Sequence, residues 1–201
     1  MIAIIDYGMG NLASVSNAFA KLGYETIVSQ DPEQILAADK VVLPGVGAFA
    51  DAIKNIRTRG IDQTITELMK RNTPLLGICL GYQLLFSESD EDGVHQGLDV
   101  IKGRVEKLRL PAAFKVPHMG WNNIATKPDS RLFAGIPRGS YFYFVHSYRA
   151  IPEDDTFIAA TTEYGIRIVC AIEQGNLVAT QFHPEKSSDI GLKVLMNFGA
   201  M

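Results

Sequence analysis

The stretch Pro74–Phe86, P-L-L-G-I-C-L-G-Y-Q-L-L-F, constrains this chain more than any other. Leu75, Leu76 and Ile78 form an apolar run that reads as a buried strand, and Leu80–Phe86 reads as the opening of a helix. Cys79 stands between them, with Gly77 and Gly81 two residues away on either side. This is the G-x-C-x-G form of a strand-to-helix elbow usually written with serine. So sharp a turn brings strand and helix backbones together where a Cβ would clash, which accounts for the glycines. It would present the sulfur at the sheet edge, at the end of a helix dipole that favours an anion. A cysteine in an apolar segment is also commonly a small buried hydrophobe. Cys79 therefore reads as a nucleophile only if the rest of the chain supplies a base.

Composition narrows the field of partners. Hydrophobic residues make up 47% of the 201 and charged residues 20%, enough for a sizeable core in one large domain or two small ones. A net charge of -3 gives no electrostatic basis for binding nucleic acid or an anionic membrane. No apolar stretch approaches the roughly 20 residues that a membrane span needs, and no basic-apolar leader opens the chain. Two cysteines, Cys79 and Cys170, do not make a disulfide framework, so a cytoplasmic location is expected.

Along the chain, Ile2–Asp6 reads as a strand, Leu12–Leu22 as a helix stopped by Gly23, and Glu25–Ser29 as a second strand. Gly8-x-Gly10-x-x-Ala13 after a strand, with Asp31 near the end of the next strand, also fits a dinucleotide-binding fingerprint, the alternative being a tight turn. Lys40–Leu43 reads as a strand leading into Pro44-Gly45-Val46-Gly47, a loop able to turn unpaired N–H groups toward a ligand. Phe49–Met69 reads as helix with a break near Gly60, Ser87–Gly97 as a surface loop, and Leu98–Leu110 as strand or hairpin. Pro111–Asn123 reads as a loop, with Trp121 placed equally well in a core or in a contact patch. Tyr141–Tyr148, Phe157–Thr162, Val169–Glu173 and Leu177–Gln181 read as strands, and Ser188–Phe198 as a closing helix. Strand-helix alternation early and strands late imply an α/β fold with a mixed sheet.

Of the four histidines, His183 stands directly after a strand, at the end where sites gather in open α/β sheets. Glu185, two residues on, could hold its imidazole in one tautomer. An elbow cysteine, a strand-end His-x-Glu and a glycine loop after a neighbouring strand together read as an acyl-transfer site. The Leu80 N–H, with an N–H from the Gly45–Gly47 loop, Val46 or Gly47, would meet the oxyanion. The orientation of the Val46 peptide would then act as a switch.

Gly77-Ile-Cys79-Leu-Gly81-Tyr-Gln83, Pro44-Gly45-Val46-Gly47 and His183-Pro184-Glu185 resemble the class I (triad) glutamine amidotransferases. Asp6–Leu12, Pro117–Asn122, Tyr143–Tyr148 and Pro184–Ser187 narrow the resemblance to the glutaminase subunits of imidazole glycerol phosphate synthase. That resemblance implies a single three-layer domain over residues 1–201, flavodoxin-like, with a central mixed, mainly parallel sheet. It implies glutamine hydrolysis by Cys79, His183 and Glu185 without cofactor or metal. Ammonia would pass to a separate (β/α)₈-barrel synthase subunit. Gln83 and Glu91 would hold the amino-acid end of glutamine, with main chain at Ser147 and Tyr148. Pro117, Met119, Trp121, Tyr143 and Lys186, with Asn11 close by, would face the barrel. A glutaminase of a sister pathway should lack the Pro117–Asn122 motif, and a stand-alone cysteine hydrolase would need no partner. Tyr82 stands where relatives often carry methionine, an apolar exchange expected to be tolerated. Cys170 is expected in the core.

Overall fold

A computed structural model describes residues Met1–Met201. The first half of the chain alternates strand and helix. In order it forms β1 (Ile2–Ile5), α1 (Leu12–Lys21), β2 (Thr26–Ser29), α2 (Pro32–Leu36) and β3 (Lys40–Leu43). There follow α3 (Phe49–Thr58), α4 (Ile61–Lys70), β4 (Leu75–Ile78) and α5 (Leu80–Leu84). The break between α3 and α4 falls at Gly60, which takes a left-handed φ of 68°. The second half is mostly strand: β5 (Phe86–Ser89), β6 (His95–Gln96), β7 (Ile101–Lys107), β8 (His118–Asn123) and β9 (Ala125–Thr126). It continues as β10 (Tyr141–His146), β11 (Tyr148–Pro152), β12 (Ile158–Glu163), β13 (Arg167–Gln174) and β14 (Leu177–Thr180), and closes with α6 (Ser188–Gly199).

The strands β2-β1-β3-β4-β14 run parallel and form one wing of a 12-stranded mixed sheet. β13, β11 and β7 continue it antiparallel. Among these, β1, β3, β4 and β14 are buried on both faces because helices cover both. In β1, Ala3 and Ile5 pack with Ile53, Ile65 and Leu68 of α3 and α4, while Ile2 and Ile4 pack with Phe19 of α1 and Phe198 of α6. The α/β class and the central mixed sheet expected from the sequence are found here.

Two stretches read as loops contain strands. His118–Asn123 pairs antiparallel with Tyr141–His146 as a separate two-stranded ribbon. Phe86–Ser89 and His95–Gln96 pair within the sheet. The registers Leu43↔Gly77 and Thr180↔Ile78 matter most for function. They bring β3, β4 and β14 to an end along one edge, so Pro44–Gly47, Cys79 and His183 emerge side by side.

Candidate active site

Cys79 follows β4 with φ 55° and ψ −106°, a left-handed conformation that costs a non-glycine residue about 1–3 kcal/mol. The surrounding packing enforces it. A Cβ at Gly81 would overlap the Leu43 carbonyl oxygen and lie 2.8 Å from its carbon, and one at Gly45 would lie 2.8 Å from the Gly81 nitrogen. Both sites admit only glycine without backbone movement, and that close approach sets the elbow against the loop after β3. Cys79 is buried, with 7% exposure, and its sulfur accepts from Gln181 Nε2 at 3.8 Å.

His183 is fixed by its own main chain. Its N–H donates to the Tyr143 carbonyl at 3.0 Å, and its carbonyl accepts from Ser187 Oγ at 2.6 Å. Its Nδ1 lies 2.8 Å from Glu185 Oε1, both side chains being 2% exposed. Burial alone would depress the imidazole pKa. The neighbouring Cys79 sulfur and the Glu185 carboxylate outweigh burial and lift it to about 9. Nε2 makes no hydrogen bond and is the nitrogen left to exchange a proton with the sulfur or a substrate.

These residues open on a cavity of about 390 Å³ that Val46, Gly47, Leu80 and Pro117 also line. Gln83, Glu91, Ser147 and Tyr148 line it too, so every residue expected to bind glutamine reaches the cavity that holds Cys79 and His183. Gln83 Nε2 donates to Gln181 Oε1 at 2.9 Å and to the Tyr148 carbonyl at 3.2 Å. Glu91 Oε2 accepts the Phe49 N–H at 2.8 Å, in the first turn of α3, whose flanking Ala48 cannot cap it. Burial raises the Glu91 pKa, partly offset by that N–H.

The N–H groups expected to meet an oxyanion are not all free. The Leu80 N–H donates to the Gly45 carbonyl at 3.3 Å, so an acceptor oxygen faces one of these expected donors.

Of the residues expected at a partner surface, Met119 and Trp121 are 65% and 53% exposed on one face of β8. Tyr143 stands opposite Trp121 in the ribbon, with ring centroids 6.3 Å apart. Pro117 and Lys186 are exposed. Asn11 is exposed and caps α1, accepting the Ser14 N–H at 3.2 Å. Asp31, the acid of the dinucleotide fingerprint, caps α2 by accepting the Glu33 N–H at 2.9 Å, so the fingerprint reduces to a turn and a helix cap. Cys170 is fully buried in β13. Nothing in the sequence singles out Gln181. A glutamine one residue past a strand carries no local signal, although it sits two residues before His183.

A family model described as glutamine amidotransferase class-I matches residues 3–200. The chain belongs to that family. Among curated proteins it is 55% identical over 200 residues to the imidazole glycerol phosphate synthase subunit HisH of Moorella thermoacetica, covering 100% of this chain and 94% of that protein. It is 50% identical over 207 residues to the HisH subunit of Geobacter sulfurreducens, covering 100% of this chain and 98% of that one. Solved structures share the amidotransferase fold at low identity. A glutamine amidotransferase from Thermotoga maritima aligns with a TM-score of 0.66 at 19% identity, over 99% of this chain and 82% of its own. PurLQS from the same organism aligns with a TM-score of 0.75 at 16% identity, over 99% and 97%.

Proposed function

We propose that this glutamine amidotransferase is the glutaminase subunit of an imidazole glycerol phosphate synthase, acting in histidine biosynthesis. The whole span 1–201 serves as one glutaminase domain. The observation that carries the reading is the convergence of Cys79, the His183–Glu185 pair and the Gln83–Tyr148 wall on one cavity. Cys79 Sγ, its proton already held on His183 Nε2, attacks the side-chain amide carbon of glutamine. A C–S bond forms. His183 then returns the proton to the departing nitrogen, the C–N bond breaks, and ammonia leaves a glutamyl thioester. Water, deprotonated by the same imidazole, cleaves the thioester to glutamate and free Cys79. Glu185 holds the Nδ1 proton and balances the imidazolium charge throughout.

Turning the Gly45–Val46 peptide over would remove the carbonyl from the Leu80 N–H and present the Val46 N–H in its place. Both oxyanion donors would then exist together. The geometry supports a glutaminase that rests with this peptide turned away and is activated by a partner. Loss of one such donor typically lowers the rate on the order of 10²–10³-fold. The partner is the synthase subunit, in this reading a (β/α)₈ barrel, docked on the Trp121 face in the cytoplasm and receiving the ammonia.

The test is glutamate release from glutamine by the purified chain, first alone and then with the synthase partner and its nucleotide ligand. Weak release alone and a large rise on addition are expected. Full release by the chain alone would overturn partner gating, and no release under any condition would overturn the glutaminase assignment.

A further inference from the structure

His118 and His146 face each other across the β8–β10 ribbon, 2% and 6% exposed. Neither is needed in the acyl transfer, yet burying two imidazoles costs free energy unless their nitrogens are satisfied. All four ring nitrogens are. His146 Nδ1 lies 2.8 Å from the Tyr148 carbonyl, which can only accept, so Nδ1 carries the proton and Nε2 is bare. His118 Nδ1 lies 2.9 Å from that bare nitrogen and therefore donates to it. Asn122 Nδ2 donates to the Glu163 carbonyl at 2.9 Å, so it is an amino group, and it stands 3.3 Å from His118 Nε2, which must accept. The two ends force one tautomer on each ring and one direction on the chain. His118 cannot swing away, being stacked between Phe144 and Tyr164 with centroids at 4.6 and 4.0 Å. Burial also holds both imidazoles neutral.

His146 lines the cavity, but no nitrogen on either ring is free to act as a base there. What the chain does control is the Tyr148 carbonyl, the same oxygen that receives Gln83. Ser147 lies in the bend between His146 and Tyr148 and opens onto the cavity. We propose that His118 and His146 are positioning residues that fix the Ser147–Tyr148 main chain through the Tyr148 carbonyl, and so set the affinity for glutamine. The inference rests on the glutaminase reading, in which that main chain receives the amino-acid end of the substrate. His118 is rooted in the strand that carries Met119 and Trp121, so the same chain ties the docking strand to the substrate wall.

The test is steady-state glutamate release by the complex with the synthase subunit, comparing the parent with three variants. His146→Phe keeps an aromatic ring but no donor, and its KM for glutamine should rise about tenfold, with kcat within about threefold, as loss of one buried hydrogen bond predicts. His118→Phe keeps the stack and strips His146 of its donor, and should raise KM about threefold. His146→Asn restores an amide N–H near Nδ1 but leaves His118 without its acceptor, and should bring KM back to about threefold above the parent. If His146→Phe does not fold, His118→Phe and His146→Asn read the same chain. A parent that releases no glutamate overturns the glutaminase reading and this inference with it. An active parent with unchanged KM in the Phe variants, or with kcat lost and KM kept, overturns the positioning role alone.

Discussion

At the scale of single residues, the site depends on charges held in place by a few short contacts. Cys79→Ser keeps the elbow and the size of the side chain but removes the sulfur nucleophile. Glutamate release should fall on the order of 10⁴-fold, with partner binding intact; turnover near the parent rate would remove Cys79 from the chemistry. His183 gives a prediction with a definite sign. Its folded pKa of about 9 stands above the ordinary 6.5, so the charged imidazole stabilises the fold fully below about 6.5. That contribution disappears as pH rises through about 9. Glu185→Gln removes one of the two groups that raise it. In urea titrations the stability gap between parent and Glu185→Gln should therefore narrow across that interval, and a gap flat with pH would mean that His183 rests neutral.

At the scale of elements, the elbow depends on the meeting of β3, β4 and α5. Gly81→Ala would drive a methyl group into the Leu43 carbonyl, a backbone obstacle that no rotamer change relieves. It should cost about 3 kcal/mol or more of stability and move α5 off the sheet, taking activity with it. Urea unfolding checks the first and glutamate release the second; an alanine variant as stable as the parent would mean that the β3–α5 contact is loose. The elbow was legible in the sequence because its signal is local: two glycines at fixed spacing between a strand pattern and a helix pattern. His183-x-Glu185 was legible for the same reason. β8 was not, because Pro117 and Gly120 punctuate the stretch as a loop would. Its alternation, His118 inward with Met119 and Trp121 outward, acquires meaning only through pairing with β10, whose partner residues lie 18 to 28 positions along the chain. The His118–His146 chain and the Gln181 contact to Cys79 are products of such distant pairings, and no local pattern announces them.

At the scale of the whole molecule, one edge of the sheet carries the candidate site and the adjoining ribbon carries an apolar face. Met119, Trp121 and Tyr141 are large, exposed and borne on two paired strands, an expensive surface for a chain to leave in water. Pro117 joins that face to the cavity, since it lines the one and precedes the other. On the function proposed above, a partner seated there would give the ammonia a sheltered exit and give docking a way to act on the Gly45–Val46 peptide. Trp121 is 53% exposed and contributes little to the core, so Trp121→Ala should leave the unfolding free energy within about 0.5 kcal/mol of the parent. Aromatic anchors at interface centres are commonly worth about 2 kcal/mol, so affinity for the synthase subunit should fall about thirtyfold. Calorimetric titration against that subunit measures the fall, and urea unfolding of the free chain supplies the control. At saturating partner the variant should recover most of the stimulated glutaminase rate, because the lost contact lies outside the cavity. A variant that binds as tightly as the parent would exclude this face as the docking surface. One that binds weakly and stays slow even when saturated would place Trp121 in the activation step itself.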